Sequence, residues 1–435
     1  MASRVVLSWG RVLRSPHAII DVSNRTSAMP QLPADAPHLL PYGNGRSYGD
    51  SCLNAGGALL KTRRLDRFIS FDPATGVLAC ESGVLFDEIL RLVVPQGWFL
   101  PVTPGTRFVT IGGAIANDVH GKNHHLAGTF GRHVHCFELL RSDGQRLLCS
   151  GAENPEWFAA TVGGLGLTGL ITWAEIQLRR IGNPWMDSET IRYQSLDDFF
   201  ALCRESDRDY EYTVSWVDCA GKGKKLGRGL FMRANHAPAL AEPAKHQPRT
   251  RTFPFVPPVS LVNSLSLKAF NALYYHKQSG RSLQHYESFF YPLDGILEWN
   301  KLYGPRGFYQ YQCVVPLQAS KEATTQLLQE IGQSGLGSFL AVLKLCGSPL
   351  SPGMLSFPQS GVSLALDFPN RGESLHKLFT RLDAIVSEAG GRIYPAKDGR
   401  MSSEMFRAGY PEWQAFSRYI DPRFSSSFWR RVMEA

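Results

Sequence analysis

The sequence predicts an α+β protein, on two observations. Strand-like and helix-like patterns are mixed along the chain without the steady strand–helix alternation of a doubly wound sheet. Three glycine-rich stretches also break up the first 170 of its 435 residues. Pro41-Tyr-Gly-Asn-Gly-Arg-Ser-Tyr-Gly-Asp50 and Pro104-Gly-Thr-Arg-Phe-Val-Thr-Ile-Gly-Gly-Ala-Ile-Ala-Asn-Asp-Val-His-Gly121 leave the main chain bare of bulky cover, and Gly163-Gly-Leu-Gly-Leu-Thr-Gly169 follows. A backbone stripped in this way can approach a diphosphate or a flat ring and offer its N–H groups to an anion. Together the three predict a bed for a large cofactor.

The elements follow in order. Gly57-Ala-Leu-Leu-Lys61, Phe68-Ile-Ser-Phe71 and Gly76-Val-Leu-Ala-Cys80 read as strands. Leu85-Phe-Asp-Glu-Ile-Leu-Arg-Leu-Val93 has helical spacing and ends near Pro95 and Gly97. Cys136-Phe-Glu-Leu-Leu140 and Arg146-Leu-Leu-Cys149 flank Ser142-Asp-Gly144, a hairpin signal. A helix-like Glu156-Trp-Phe-Ala-Ala-Thr161 and a strand-like Ile171–Leu178 enclose the third glycine stretch. Arg179-Arg-Ile-Gly-Asn-Pro184 suggests a boundary, with fresh patterns over 185–392. Residues 236–260 are rich in Pro, Ala and basic residues and predict a long loop. Gly390–Arg400 interrupts two helical stretches, and no internal repeat is evident.

Composition narrows the function classes. An apolar fraction of 43% suits sizeable soluble cores, and the length suits two or three domains. No run approaches the ~18 apolar residues of a membrane span, and the apolar stretch at the N-terminus is too short for a secretory signal. The cytoplasm is the expected compartment. Eight scattered cysteines without a Cys-x-x-Cys pair fit buried thiols better than disulfides or zinc. A net charge of +8 favours anionic partners, but its spread along the chain makes nucleic acid the weaker choice.

Several generic motifs fail on context. Gly164-Leu-Gly-Leu-Thr-Gly169 is a literal G-x-G-x-x-G, yet a helix precedes it and a strand follows, the reverse of a dinucleotide fingerprint. Gly45-Arg-Ser-Tyr-Gly49 matches the hydrolase nucleophile elbow, but the residues after it start no helix. Ser47 is therefore expected in a turn or cofactor contact. His120, His124 and His125 lie close together, as do His133 and His135, which could share one strand face. No recurring ligand set accompanies them, so no metal is expected. His120 lies beside bare backbone and is either a buried, hydrogen-bonded histidine or a functional one. Lys397, in Tyr394-Pro-Ala-Lys-Asp398, is either a solvated lysine or a cation aimed at a cofactor or anionic substrate.

Gly43-Asn-Gly-Arg-Ser-Tyr-Gly-Asp50, Pro104-Gly-Thr-Arg107, Gly112-Gly-Ala-Ile-Ala116, His120-Gly-Lys-Asn-His-His125 and Thr161-Val-Gly-Gly-Leu-Gly-Leu-Thr-Gly-Leu170 resemble FAD-binding oxidoreductases of the vanillyl-alcohol-oxidase type. Within them the chain is most similar to the decaprenylphosphoryl-β-D-ribose 2′-oxidase family. That likeness continues through Tyr303–Gln312, Leu366-Asp-Phe-Pro369 and Tyr394–Asp398 and covers nearly the whole chain.

The resemblance implies a two-domain flavoprotein. Its FAD domain, of two α+β subdomains, would take residues 1–184 and the returning segment 393–435, and a substrate domain with an antiparallel sheet would take 185–392. FAD would lie on Gly43, Asn44, Gly45, Arg46, Ser47 and Tyr48 of the first loop and Gly105, Thr106, Arg107, Val109, Thr110, Gly112 and Gly113 of the second. Asn117, His120, Gly121, Ile171 and Tyr394 would complete the bed. Gln310, Gln312 and Lys397 match residues that face the substrate, and Lys397 and His120 are both candidates to assist loss of a hydroxyl proton. Relatives with covalent FAD carry histidine where this chain has Arg46, so non-covalent FAD is expected. Family members often carry cysteine where this chain has Ala365.

The implied reaction is oxidation of the 2-hydroxyl of a polyprenyl-phosphate-linked pentose to a keto-sugar. An NAD(P)H-dependent keto-reductase partner would complete the epimerisation from ribose to arabinose in cell-envelope polysaccharide biosynthesis. The basic, apolar region 247–280 would suit peripheral contact with the inner face of the plasma membrane, or be ordinary packing. Two alternatives stay open: a soluble sugar, aldonolactone or polyol as substrate, and a flavin fold that serves only as a scaffold.

Overall fold

The computed structural model of the protein describes residues 3–31, 37–239, 250–277 and 279–433. Among the described residues, the chain forms two medium sheets and one large one, besides two two-stranded ribbons. The first has four strands in the order Ser3–Leu7, Arg14–Asp21, Ala58–Lys61, Leu39–Tyr42. Its outer pair is antiparallel, and the remaining pairings are parallel. The first glycine loop leaves the end of Leu39–Tyr42. The second sheet is antiparallel throughout, in the order Phe68–Asp72, Val77–Glu81, Leu170–Gln177, Val134–Leu140, Arg146–Ser150. The short helix Ile111–Ala116 lies against its central strand and carries the second glycine loop.

The large sheet has eight antiparallel strands. They run in the order Gly280–His285, Trp185–Tyr193, Gly229–His236, Tyr212–Val217, Ala341–Cys346, Gly361–Pro369, Phe308–Pro316, Arg392–Ile393. Successive side chains on a strand point to opposite faces. Tyr311, Cys313 and Val315 therefore share one face with Leu343, Leu364, Leu366 and Phe368, and all are buried. The helices Leu196–Ser206, Ser320–Ser334 and Glu373–Glu388 close over this face with Phe199, Leu327, Ile331, Leu378 and Leu382. The other face carries Gln310, Gln312, Val342, Lys344, Ser363, Ala365 and Asp367, and it fronts a cavity.

Most sequence-predicted elements appear within a residue or two of their expected bounds. Three readings change. His133 ends the helical turn Phe130–His133 and only His135 lies in Val134–Leu140, so the two do not share a strand face. Within the stretch expected to interrupt two helices, Arg392–Ile393 forms the last strand of the large sheet. Of the long loop expected over 236–260, residues 240–249 lie outside the described residues. Beyond them Arg251–Thr252 pairs in parallel with Ile296–Leu297.

The C-terminal segment is bound into the first sheet. Leu39 N–H donates to the Arg423 carbonyl, and Ser425 N–H donates back to that of Leu39. Arg431 then clamps two buried carboxylates, Asp50 at 2.7 Å and Asp398 at 2.9 Å. Burial pushes the Asp50 carboxyl up, and Arg431 opposes that shift. Arg431→Ala leaves both acids without their cation and is expected to cost about 3–5 kcal/mol. The loss should shrink as pH falls and Asp50 protonates, which denaturant unfolding at several pH values would read.

Candidate functional site

A cavity of about 680 Å³ lies where the three glycine loops meet the open face of the large sheet, within the usual range for ligand pockets. Of the twenty-one positions expected to form a cofactor and substrate site, all but Arg107 line it. Tertiary structure thus collects loops sixty residues apart, and a strand and a turn from the far end of the chain, around one space.

The first loop presents main chain. Gly45 has φ +61, a conformation that glycine adopts without strain. A Cβ on Gly43 would come within 2.5 Å of the Thr110 hydroxyl, so only glycine lets the first two loops lie this close. Among the described residues, no protein acceptor takes the N–H groups of residues 43–47. Asn44 Nδ2 donates to the Phe108 carbonyl at 2.8 Å and ties the first loop to the second. The Arg46 guanidinium lies 4.3 Å over the Trp9 ring.

The second loop enters the helix Ile111–Ala116 through an N-cap, with Thr110 Oγ1 accepting from Gly113 N–H at 3.2 Å. Asn117 Nδ2 donates to the Gly113 carbonyl at 2.8 Å, and Tyr394 Oη donates to the Asn117 carbonyl at 3.0 Å. Arg107 turns away from the cavity. Its guanidinium pairs with Asp87 at 2.7 Å and Glu287 at 2.8 Å, and its N–H donates to Asp294 at 2.8 Å. A buried guanidinium needs such partners. Its side chain therefore braces the loop from behind.

The sheet wall is a grid set by strand register. Gln310 is opposite Asp367, Gln312 opposite Ala365, Ala365 opposite Val342, and Ser363 opposite Lys344. Gln310 Nε2 donates to Asp367 Oδ1 at 2.6 Å. Gln312 Nε2 donates to His120 Nε2 at 3.1 Å, so the His120 ring proton resides on Nδ1. The ring rests beside Phe357 and Tyr394, with centroids 5.5 and 5.3 Å away. Burial and the neighbouring Lys344 hold its pKa well below the ordinary value, so it is neutral at pH 7. Lys397 sits with its ammonium 3.8 Å over the Tyr48 ring.

Asp367, Asp294, Lys344 and Lys122 are among the polar residues of this site that escaped the sequence reading. The alternation in Gly361–Pro369, where Ser363, Ala365 and Asp367 interleave with Val362, Leu364, Leu366 and Phe368, was the available signal for Asp367. Lys344 Nζ donates to the Gly121 carbonyl at 2.7 Å. Lys122 Nζ lies 4.6 Å over the Phe289 ring, and burial brings its pKa down to about 7. Of the other histidines, His125 Nε2 pairs with the Tyr210 carbonyl, His133 Nε2 with that of Ala127, and His135 Nδ1 with Glu175, while His124 is buried with its Nδ1 unpartnered among the described residues.

Comparison with known proteins agrees with this geometry. A family model described as an FAD binding domain matches residues 31–150. Decaprenylphosphoryl-beta-D-ribose oxidase from Mycolicibacterium smegmatis is 37% identical over 448 residues, covering 98% of this chain and 97% of that protein. An uncharacterized Streptomyces coelicolor protein is 33% identical over 80% of this chain and all of its own length. Human Delta(24)-sterol reductase matches at 26% over 34% of the chain and 28% of its own length. The chain belongs to the FAD-binding oxidoreductases of the vanillyl-alcohol-oxidase type.

The cavity of this flavoenzyme fits the cofactor. The N–H groups of residues 43–47 suit a diphosphate. Ser51 Oγ, Ser82 Oγ, His120 Nδ1 and Asp367 Oδ2 are buried without a protein partner, and all four residues line the cavity. Buried polar atoms are rarely left so unless a ligand or water completes them.

Asp367 and Lys397 form the charged centre of the wall. Burial raises the Asp367 carboxyl and lowers the Lys397 ammonium, and their mutual attraction opposes both shifts. Asp367→Asn removes the charge that keeps Lys397 protonated. The lysine should then lose its proton at a pH lower by about 1–3 units. A pH titration of bound-flavin absorbance would read the shift, with Lys397→Gln abolishing that transition and flavin content unchanged in both variants.

Proposed function

We propose that this flavoenzyme oxidises the 2-hydroxyl of a polyprenyl-phosphate-linked pentose, decaprenylphosphoryl-β-D-ribose or a near relative, to the 2-keto sugar. The supporting observation is the cavity wall. Gln310 and Gln312 lie two residues apart on one strand face beside Lys397, and a sugar oxidase matches the chain almost end to end. Amides can hydrogen-bond the hydroxyls of a neutral pentose without adding charge. Lys122 and Lys344 add cations that suit a substrate bearing phosphate.

In this reading residues 1–184 and 393–435 form the FAD-binding part and 185–392 the substrate part. The loops 43–48 and 105–113 hold the cofactor, apart from the Arg107 side chain, with Asn117, His120, Gly121, Ile171 and Tyr394 completing the bed. Bound FAD would accept the hydrogen and two electrons leaving the alcohol carbon. The chain must then take the hydroxyl proton. His120 has its Nε2 lone pair engaged by Gln312 and offers an N–H from the other nitrogen, so it orients the sugar. The buried pair of Lys397 and Asp367 receives the proton, taken by Lys397 in its neutral form, which burial makes accessible by lowering the ammonium pKa to about 8. Arg46 occupies the loop position from which relatives attach their flavin, and a guanidinium makes no such bond, which supports non-covalent FAD. The keto product would pass to an NAD(P)H-dependent reductase, completing an epimerisation to the arabinose configuration for cell-envelope polysaccharide.

Acid precipitation of the purified protein should release its flavin into the supernatant. Polyprenyl-phosphoryl ribose added without oxygen should bleach the bound flavin. Bleaching by soluble sugars or aldonolactones alone would replace this substrate with the soluble alternative. Lys397→Gln should keep its flavin but slow anaerobic bleaching by roughly 10²–10⁴-fold, the usual contribution of a proton-transfer group.

A further inference from the structure

The helix Ser264–Lys277 carries apolar side chains on both its inner and its outer side. Leu267, Asn271 and Tyr275 face inward and are buried, and Tyr274 packs on Trp216 with ring centroids 5.0 Å apart. Its outer side carries Ala269, Phe270, Ala272 and Leu273 beside Lys268 and His276, with Leu273 72% exposed. A surface helix ordinarily turns a polar face to water, and one that exposes Phe and Leu side chains beside only two polar ones expects a second cover. The strand and loop just before it repeat the pattern: Phe255 is 61% and Val259 68% exposed.

This surface borders the cavity. Arg251–Thr252 pairs with Ile296–Leu297, and both of the latter residues line the cavity. Leu261 N–H donates to the Leu302 carbonyl, and Val262 packs on Trp299, another cavity residue. Phe270 packs on Phe339 with centroids 4.9 Å apart, beside the cavity residue Leu340. Charge completes the picture. From 243 to 286 the sequence contains no Asp or Glu but has Lys245, Arg249, Arg251, Lys268, Lys277 and Arg281, most of the excess behind the chain's net +8. Of these, Arg251 and Lys268 are exposed within the described apolar surface.

We infer that residues 251–276 form a docking face for an anionic lipid surface, seating the cavity mouth on the membrane so that a lipid-linked substrate enters without crossing water. Exposed Phe and Leu would enter the headgroup boundary while Arg251 and Lys268 meet the anionic headgroups. The absence of acidic residues favours this occupant over a second copy of a chain that has no matching acidic face on the same segment. The purpose assigned to the face rests on the lipid-linked substrate, but the docking itself is measurable without any substrate, so the two ideas fail separately.

The test is co-sedimentation of the flavin-loaded protein with phosphatidylcholine vesicles, with and without phosphatidylglycerol. The wild type should pellet with the anionic vesicles, less so as salt rises. Arg251→Glu/Lys268→Glu should weaken binding roughly tenfold or more, given about 1 kcal/mol per basic residue at an anionic surface. Phe255→Ser/Leu273→Ser should weaken it independently of salt, and all variants should keep their flavin spectrum. Failure of the wild type to pellet would overturn the inference. So would binding that neither substitution pair changes, or a dimer in sedimentation velocity that the same substitutions disrupt while vesicles stay unbound.

Discussion

Everything in the site depends on the two-residue alternation of the large sheet. On the strands Phe308–Pro316, Gly361–Pro369 and Ala341–Cys346, one set of side chains is driven into the helical layer by apolar burial. The opposite set is thereby committed to the cavity, where Gln310, Gln312, Ser363, Asp367 and Lys344 form a grid. A slip of one residue in any of these strands would send its polar set into the dry layer and its leucines into the cavity. The core therefore specifies the site: apolar burial holds the register, and the register sets the chemistry.

The glycine loops meet that grid from the other side under a different constraint, close approach of bare main chain. They are braced from behind by buried polar contacts. Arg107 ties the second loop to Asp87 and Glu287, and the fully buried Asp118 accepts from the Ser351 and Ser356 hydroxyls and the Gly131 N–H. Asp118 thus anchors the stretch ending at Phe357, whose ring stacks on Tyr394 at 4.5 Å. Burial also tunes the ionisable groups. It keeps His120 neutral by moving it away from its ordinary titration range, and it brings Lys122 and Lys397, which would be inert cations in water, closer to neutral pH.

The loops were legible in the sequence because their requirement is local. Glycine, threonine and asparagine in a short run announce a backbone that must turn, cap a helix or receive an anion, whatever surrounds it. Family likeness extended that legibility to Gln310, Gln312, Tyr394 and Lys397. Arg107 sits among the glycine-loop residues in sequence, and only the carboxylates of Asp87 and Glu287 decide that its side chain points away from the cavity. Lys344 and Lys122 carry no local sign at all.

By itself, then, the sequence determined the mixed α+β character, the individual strands and helices, and the three bare loops, since these follow from periodicity and from residue-intrinsic backbone preferences. Tertiary structure alone decided which strands became neighbours, that Arg392–Ile393 would complete the large sheet, and that Asp367 and Lys397 would share one buried space. Those outcomes depend on contacts between residues tens to hundreds of positions apart. Their energies come from burial and from charge pairing inside the fold, which no short stretch of sequence contains.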